Sequence, residues 1–199
     1  EESKLLWMWG DPDALTGEGM EAYPYHYLSD PEQTNASLIV TGPFRAWGRE
    51  HEITFGLMHS KRDEGWSNRD AVSDLAPEGS LFDWNGSYPE PELGERYLGS
   101  QTTIKQSGMY SAARLQLLEP LKVIVGGRFS TWKQEDEAGA WTPEAFEIEH
   151  DGEFTPYAGI VYDLNSYLSA YASYTEIFTP NTNKDRNGDY LDPAEGASY

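Results

Sequence analysis

The sequence predicts an all-β protein, an antiparallel up-and-down meander of about eight strands. Apolar and polar residues alternate along many segments, whereas helical periodicity is scarce. Aromatic residues make up 14% of a chain whose mean hydropathy is -0.66, which is typical of a β protein with a binding or interfacial surface. The connections between the alternating segments are short and long in turn, as expected when strands run up and down.

Each predicted strand is defined by its own alternation. In chain order, the first strand ends near Gly10 and the others cover 21–41, 51–60, 102–117, 122–133, 154–162 and 167–178. The segment 51–60 has the clearest pattern, because Ile53, Phe55 and Leu57 share one face while Glu52 and Thr54 lie on the other. The last segment is the least regular, because Glu176 interrupts its apolar face.

The other segments repeat this division between an apolar and a polar face. Their apolar faces contain Ala36, Leu38 and Val40, then Met109, Ala113, Leu115 and Leu117, then Val123, Val125 and Phe129, then Phe154, Ala158, Ile160 and Tyr162. The opposite face of 122–133 contains Lys122, Arg128 and Ser130. A sheet with these two faces separates an apolar environment from a polar one.

The connections are asymmetric. The short ones are predicted at 42–50, 118–121 and 163–166, and the long polar ones at 61–101, at 134–152 and after 179. An outer-membrane barrel has short periplasmic turns, long extracellular loops and strands of about 9–11 residues across the hydrocarbon. A soluble antiparallel β-sandwich with long loops is the alternative that the pattern leaves open.

Composition excludes some classes of function. The chain has 14 Lys and Arg against 34 Asp and Glu, a net charge of -20, so a nucleic acid would be repelled. There is no cysteine, which excludes disulfides, thiolate metal ligands and cysteine nucleophiles. No segment approaches the roughly 18 apolar residues of a membrane helix.

No catalytic set or metal site is predicted. His51 and His59 flank one strand, but they are too far apart to bind one metal. The segment "DRNGDYLD" at 185–192 resembles half of a calcium site without its bidentate glutamate, so a turn is favoured there. A hydrolase would need two acids at a set separation, which a sequence does not show. We therefore expect a protein that is not an enzyme.

The segments "TGPFRAWGREHEITFG" (41–56) and "YASYTEIFTPNTNKDRNGDYLDPAEG" (171–196) resemble segments of the TonB-dependent siderophore receptors, in the branch of the ferric-coprogen, rhodotorulic-acid and ferripyoverdine receptors. The segment "LKVIVGGRFSTWK" (121–133) is similar to a barrel strand of that family. The resemblance covers nearly the whole chain. It implies an outer-membrane location, a barrel of about 22 strands, and binding and import of a ferric siderophore, with hydroxamate as the expected type.

The resemblance also implies which residues contact the ligand. Ferric siderophores are bulky and polar and have flat chelating groups, which aromatic rings and cations bind. The candidates for this binding rim are Trp7, Trp9, Tyr25, Trp132 and Arg128, and the alternation places Arg128 and Trp132 on one face. An interfacial aromatic girdle is the alternative role for the rings, and pairing with acids or with a plug domain is the alternative for Arg128.

By the same resemblance, residues 1–199 are the middle of a barrel domain, without the plug domain and the barrel ends. The expected partners are the ferric siderophore, TonB and the plug in the parent protein, and outer-membrane lipid. No cofactor is expected, because the iron arrives only within the siderophore. An excised sheet has open edges, so the isolated chain is expected to self-associate. The alternative function is a soluble ligand-binding module, for example for carbohydrate.

Overall fold

The computed structural model describes residues 2–73, 75 and 79–199 of the chain. These residues form eight strands and a short 3-10 helix at Leu81–Asp83. The strands are β1 (Glu2–Gly10), β2 (Met20–Ala46), β3 (Arg49–Arg69), β4 (Tyr97–Leu118), β5 (Leu121–Glu137), β6 (Phe146–Asn165), β7 (Leu168–Thr179) and β8 (Ala194–Ser198). They lie in chain order in one sheet, and the pairs β1–β2, β6–β7 and β7–β8 are antiparallel. The predicted meander is confirmed.

The described part of the chain divides into two compact units, each described by itself below. Unit 1 consists of Glu1–Glu32, Asp63–Thr103 and Asp136–Phe146. Unit 2 consists of Gln33–Arg62, Ile104–Glu135 and Glu147–Tyr199. Unit 1 contains long connections, including the one after β1, whereas unit 2 contains the tight turns that join β2 to β3, β4 to β5 and β6 to β7.

The strands are longer than the sequence predicts. The predicted loop at 61–101 is wrong at both ends, because β3 continues to Arg69 and β4 begins at Tyr97. Trp66, predicted to lie in that loop, is in β3. Near these ends of β3 and β4, the residues are polar on both faces of the strand. The prediction depends on hydrophobic alternation, and this signal is lost before the strand ends.

The turn between β2 and β3 is also tighter than predicted. The expected linker at 42–50 is reduced to Trp47 and Gly48, whose φ angles are 52° and 73°. Two consecutive positive φ angles are typical of a type I′ hairpin turn, which usually has Asn or Gly at both positions. Tryptophan is therefore an unusual residue here, and its ring packs against His51 with centroids 5.4 Å apart.

In unit 2, one face of the sheet is apolar and exposed, and we call it the apolar face. It is formed by Leu38, Ile53, Phe55, Leu57, Met109, Val125 and Phe129. Ile53 is 47% exposed and Leu57 is 42% exposed. Among the described residues, the buried apolar side chains are Ala22 and Ile148. A sandwich would bury this face in a dry core between two sheets, so the soluble alternative is not supported.

The other face of unit 2 is polar. On it, the hydroxyls of Thr41 and Thr54 share a hydrogen bond of 3.0 Å between neighbouring strands, and Gln33 Nε2 donates to Ser60 Oγ at 3.4 Å. The sheet therefore has the two unlike faces that alternation predicts. No helix in the described ranges is both long and apolar enough to cross a membrane.

The alternation of β6 changes phase at Gly152. His150 stacks on Trp132 and Phe154 contacts Phe129, yet positions 129 and 132 point to opposite faces of β5. Positions 150 and 154 have the same parity and would share a face in a regular strand. Gly152 lies between them with φ 73°, a conformation that glycine adopts without strain and that occurs in β-bulges.

Candidate functional site

Five aromatic rings meet on one face of unit 1. We call Trp7, Tyr25, Tyr27, Trp66 and Trp141 the aromatic cluster. Tyr27 is its centre: its ring stacks on Tyr25 at 5.6 Å and contacts Trp66 and Trp141 edge-on at 6.5 and 5.7 Å. Trp7 adds an edge contact to Tyr25 at 5.9 Å. These distances are typical of favourable aromatic pairs.

Strand alternation explains how β1 and β2 contribute to the cluster. Trp7 lies opposite Tyr23 and Leu5 lies opposite Tyr25, so the odd-numbered residues of both strands share a face. Trp9 is on this face at the end of β1, is 69% exposed, and lines a small cavity with Trp7, Tyr23 and Tyr25. The cluster therefore presents open ring surface rather than a closed core.

Trp141 reaches the cluster because a loop folds back onto β4. Its backbone N–H donates to the carbonyl of Gly99 at 2.8 Å, and Ala140 N–H donates to Leu98 at 3.1 Å. The indole lies directly against Gly99: a Cβ at that position would be 2.6 Å from the ring. The absence of a side chain at Gly99 thus makes room for Trp141.

A hydrogen-bond network joins the end of β3 to the start of β4 in the same unit. Asn68 Nδ2 donates to Asp70 Oδ1 and to the hydroxyl of Tyr97, each at 3.0 Å. Tyr97 in turn donates to Asp70 at 2.9 Å, and Arg69 Nε donates to the carbonyl of Gly94 at 2.8 Å. This network fixes the strand that carries Trp66.

Trp132 and Arg128 lie in unit 2. Trp132 stacks on His150 with centroids 5.8 Å apart, and His150 contacts Phe178 edge-on at 5.9 Å. Arg128 instead lies beside Gly108, where an added Cβ would be 3.3 Å from Arg128 Nε. This Nε is buried, and no hydrogen-bond acceptor contacts it in the described part of the chain.

The structure thus groups some of the predicted site residues and separates others. Trp7, Trp9 and Tyr25 are brought together, whereas Trp132 and Arg128 have different neighbours within unit 2. The prediction missed the central ring of Tyr27, the two loop-assigned tryptophans Trp66 and Trp141, and His150. The alternation of "YPYHY" at 23–27 indicates that Tyr27 shares the face of Tyr25.

The two histidines and the acidic loop form hydrogen bonds within the chain. His51 Nδ1 accepts the backbone N–H of Gln116 at 3.0 Å, whereas His59 shares a hydrogen bond with Ser107 at 2.9 Å. Asp185 Oδ1 accepts the backbone N–H groups of Asn187 and Asp189 at 2.8 and 3.1 Å, which makes the predicted turn. Within the described ranges, no three His, Cys, Asp or Glu residues form a possible metal site.

The Asp185 turn gives a first prediction. The N–H of Asn187 lowers the pKa of Asp185 below its ordinary 3.8. A lowered pKa stabilises the turn fully above the ordinary value, and this contribution is lost as the pH falls through the lowered value. We expect Asp185→Ala to speed exchange of the Asn187 and Asp189 amides about fivefold at pH 7, as measured by pulsed hydrogen exchange.

A matched variant in the same loop is Asp192→Ala, which removes an equal charge from outside the turn and should leave both amides unchanged. In the unmodified chain, the protection factors of these amides should fall only in acid, as the pH passes through the lowered pKa of Asp185. Equal exchange rates in Asp185→Ala and the unmodified chain at pH 7 would show that the carboxylate does not hold the turn.

Comparison with known proteins shows the family. A family model described as TonB dependent receptor-like, beta-barrel matches residues 9–199. The ferric-pyoverdine BN7/BN8 receptor of Pseudomonas putida is 35% identical over 193 residues, which are 92% of this chain and 24% of that receptor. The ferric-pyoverdine M114 receptor PbuA of Pseudomonas sp. strain M114 is 37% identical over 189 residues, 87% of this chain and 22% of that receptor.

Solved structures agree with the sequence relatives. The crystal structure of the outer-membrane ferripyoverdine receptor of Pseudomonas aeruginosa, bound to ferripyoverdine, superposes with a TM-score of 0.84 at 27% identity and covers 98% of this chain. The match covers 25% of the receptor chain, so this chain spans about a quarter of the length of its relatives. These relatives are named as receptors, not as enzymes. The chain belongs to the TonB-dependent receptor β-barrel family of the outer membrane.

Proposed function

We propose that the protein containing this chain binds and imports a ferric siderophore, and that the siderophore is of hydroxamate type. Residues 1–199 would supply the middle of its barrel domain, with the plug domain and the barrel ends in other parts of the protein. Its partners would be TonB, the plug and outer-membrane lipid. The iron is cargo, held by the siderophore, so the proposal needs neither a resident cofactor nor a catalytic residue.

The observation that carries this proposal is the aromatic cluster. Its rings come from β1, β2, β3 and the loop before β6, and they leave ring faces exposed beside Trp9. Flat chelating groups stack on such surfaces. Trp7, Trp9 and Tyr25 would contact the ligand there, and Trp132 and Arg128 would form further contacts in unit 2.

Arg128 has a distinct role in this proposal. Its guanidinium, which has five N–H donors, would bind carboxylate or hydroxamate oxygens more strongly than a neutral donor does. The acceptor would come from the siderophore or from the plug.

The outer edges of β1 and β8 would pair with neighbouring strands of the complete barrel. In their absence we expect the isolated chain to self-associate.

Binding to the purified full-length receptor tests the function. Quenching of tryptophan fluorescence would be titrated with ferric pyoverdine, a ferric trishydroxamate and a ferric triscatecholate. Ferric pyoverdine is included because it is the ligand named for the relatives. We expect saturable quenching by ligands with hydroxamate groups and none by the triscatecholate. Quenching by the triscatecholate alone would contradict the hydroxamate type, and no saturable quenching by any of the three would contradict the siderophore function.

A further inference from the structure

Four aromatic rings of unit 1 line one small cavity, and we call these four residues the aromatic cage. They are Trp7 and Trp9 of β1 and Tyr23 and Tyr25 of β2, so the cage shares two rings with the aromatic cluster. No lysine or arginine lines this cavity in the described part of the chain. Its volume is about 230 Å³. Sites that enclose a whole drug-sized ligand have about 300–1,000 Å³, so the cage fits one group of a ligand.

Two rings of the cage are steeply inclined to each other. The planes of Trp7 and Tyr25 differ by 69°, with their centroids 5.9 Å apart. Trp7 and Trp9 are 55% and 69% exposed, so ring surface beside the cavity is open to a ligand. A flat neutral ring stacks on one plane at a time, whereas a compact cation is attracted by every ring face that it reaches. Inclined rings beside one cavity therefore suit a cationic group.

A carboxylate adjoins the cage. Glu21 lies opposite Trp9 in the register of β1 with β2, and its Oε2 accepts the hydroxyl of Tyr23 at 2.7 Å. An ionised carboxylate offers about four acceptor positions, so Glu21 can accept further N–H donors while it holds Tyr23. A guanidinium or ammonium group on the rings would supply such donors, in the charge-assisted hydrogen bonds that a neutral group does not form.

The chain around the cage is acidic. The segment 5–25 contains no lysine or arginine, and its acidic residues are Asp11, Asp13, Glu18 and Glu21. Lys4 precedes this segment, but alternation places it on the other face of β1, where it pairs with Glu90. Negative charge of this kind attracts a cation and repels an anion. Local charge and ring geometry thus indicate the same class of ligand.

We propose that the aromatic cage binds a guanidinium or ammonium group, with the cation against the rings and its N–H donors on Glu21. The group would belong to the imported ligand, which would be a ferric siderophore with a cationic side chain. Its flat chelating groups would stack on the rest of the aromatic cluster. The source of the cation rests on the proposed siderophore function, whereas the cage itself can be tested without a siderophore.

The first experiment tests the cage alone. The full-length receptor carries 5-fluorotryptophan in a maltoside detergent, which has no cation, and the fluorine NMR signal of Trp9 is assigned by its loss in Trp9→Phe. The probes are N-acetyl-arginine amide and N-acetyl-citrulline amide, which have nearly the same shape and differ by one charge. We expect a saturable shift of the Trp9 signal with the arginine derivative only. Equal shifts with both probes, or none with the arginine derivative, would overturn the proposal.

Three variants separate the site from the fold. Glu21→Gln keeps the size of the side chain and should weaken binding of the arginine derivative about threefold, because an exposed charge pair is lost. Trp9→Leu, followed on the Trp7 signal, keeps an apolar side chain and should weaken binding about threefold to fivefold, because the ring is lost. Glu32→Gln removes an equal charge from β2 outside the cavity and should leave binding unchanged. Unweakened binding in both Glu21→Gln and Trp9→Leu would overturn the proposal.

The second experiment tests the class of ligand. Ferrioxamine B, a ferric trishydroxamate with a pendant ammonium, and its uncharged N-acetyl derivative are titrated into the receptor and followed by tryptophan fluorescence. We expect the ammonium form to bind about threefold more tightly, and Glu21→Gln to remove this difference. Equal affinity for the two would overturn the cationic ligand. A Trp9 shift without quenching by any ferric siderophore would contradict the siderophore function alone, whereas quenching without the Trp9 shift would overturn the cage alone.

Discussion

Tyr27→Ala is expected to weaken siderophore binding by the full-length receptor about thirtyfold, an effect typical of the loss of a central aromatic residue from a binding site. The reason is geometric. Tyr27 contacts Tyr25, Trp66 and Trp141, so its removal leaves three rings without their shared neighbour. The measurement is fluorescence titration with the ferric siderophore that binds the unmodified receptor.

Two variants show whether the ring itself is responsible. Tyr27→Phe keeps the ring and should bind within about threefold of the unmodified receptor, because only a hydroxyl is lost. Tyr167→Ala removes a tyrosine that is 96% exposed in the turn after β6 and should not change binding. Unchanged affinity in Tyr27→Ala would show that the aromatic cluster supports the loops without forming the binding surface.

Gly56→Ala is expected to have the largest effect on stability, about 1–3 kcal/mol in the free energy of unfolding, because overpacking forces neighbouring groups to move. In β3, an added Cβ at Gly56 would overlap the ring and hydroxyl of Tyr110 in β4. The measurement is urea unfolding of the full-length receptor in detergent, followed by tryptophan fluorescence.

The chain provides a matched glycine for this experiment. Gly42 is also in a strand, but an added Cβ there would meet nothing within 4 Å, so Gly42→Ala should be nearly neutral or slightly stabilising. Combining Gly56→Ala with Tyr110→Ala should recover part of the loss, because the two positions interact directly. If Gly56→Ala and Gly42→Ala unfold at the same urea concentration, the Tyr110 ring is free to move and the packing argument fails.

The sequence predicts the strands most accurately where one face of the sheet is apolar. The segment 51–60 lies wholly within β3, because the pattern of Ile53, Phe55 and Leu57 follows directly from the two unlike environments. Strand ends are not predicted, because pairing continues into polar segments through backbone hydrogen bonds that are independent of side-chain type. The Trp47–Gly48 turn is missed for a similar reason, since tryptophan is not a turn signal.

The candidate site was predictable to the extent that it depends on local alternation. Trp7 and Tyr25 share a face because each follows the period of its own strand, and the register of β1 with β2 brings them together. Trp141 depends on a loop that folds back onto Gly99, which no local pattern indicates. The position of His150 depends on the change of phase at Gly152. This change shifts the residues of β6 that precede Gly152 to the opposite face of the sheet.

Gly152 also has an evolutionary consequence. In a regular strand, a one-residue insertion moves every residue on one side of it to the opposite face of the sheet. The left-handed residue in β6 absorbs such an offset at one point. The residues of β6 before Gly152 can thereby change in number, while the residues after it keep their apolar and polar faces.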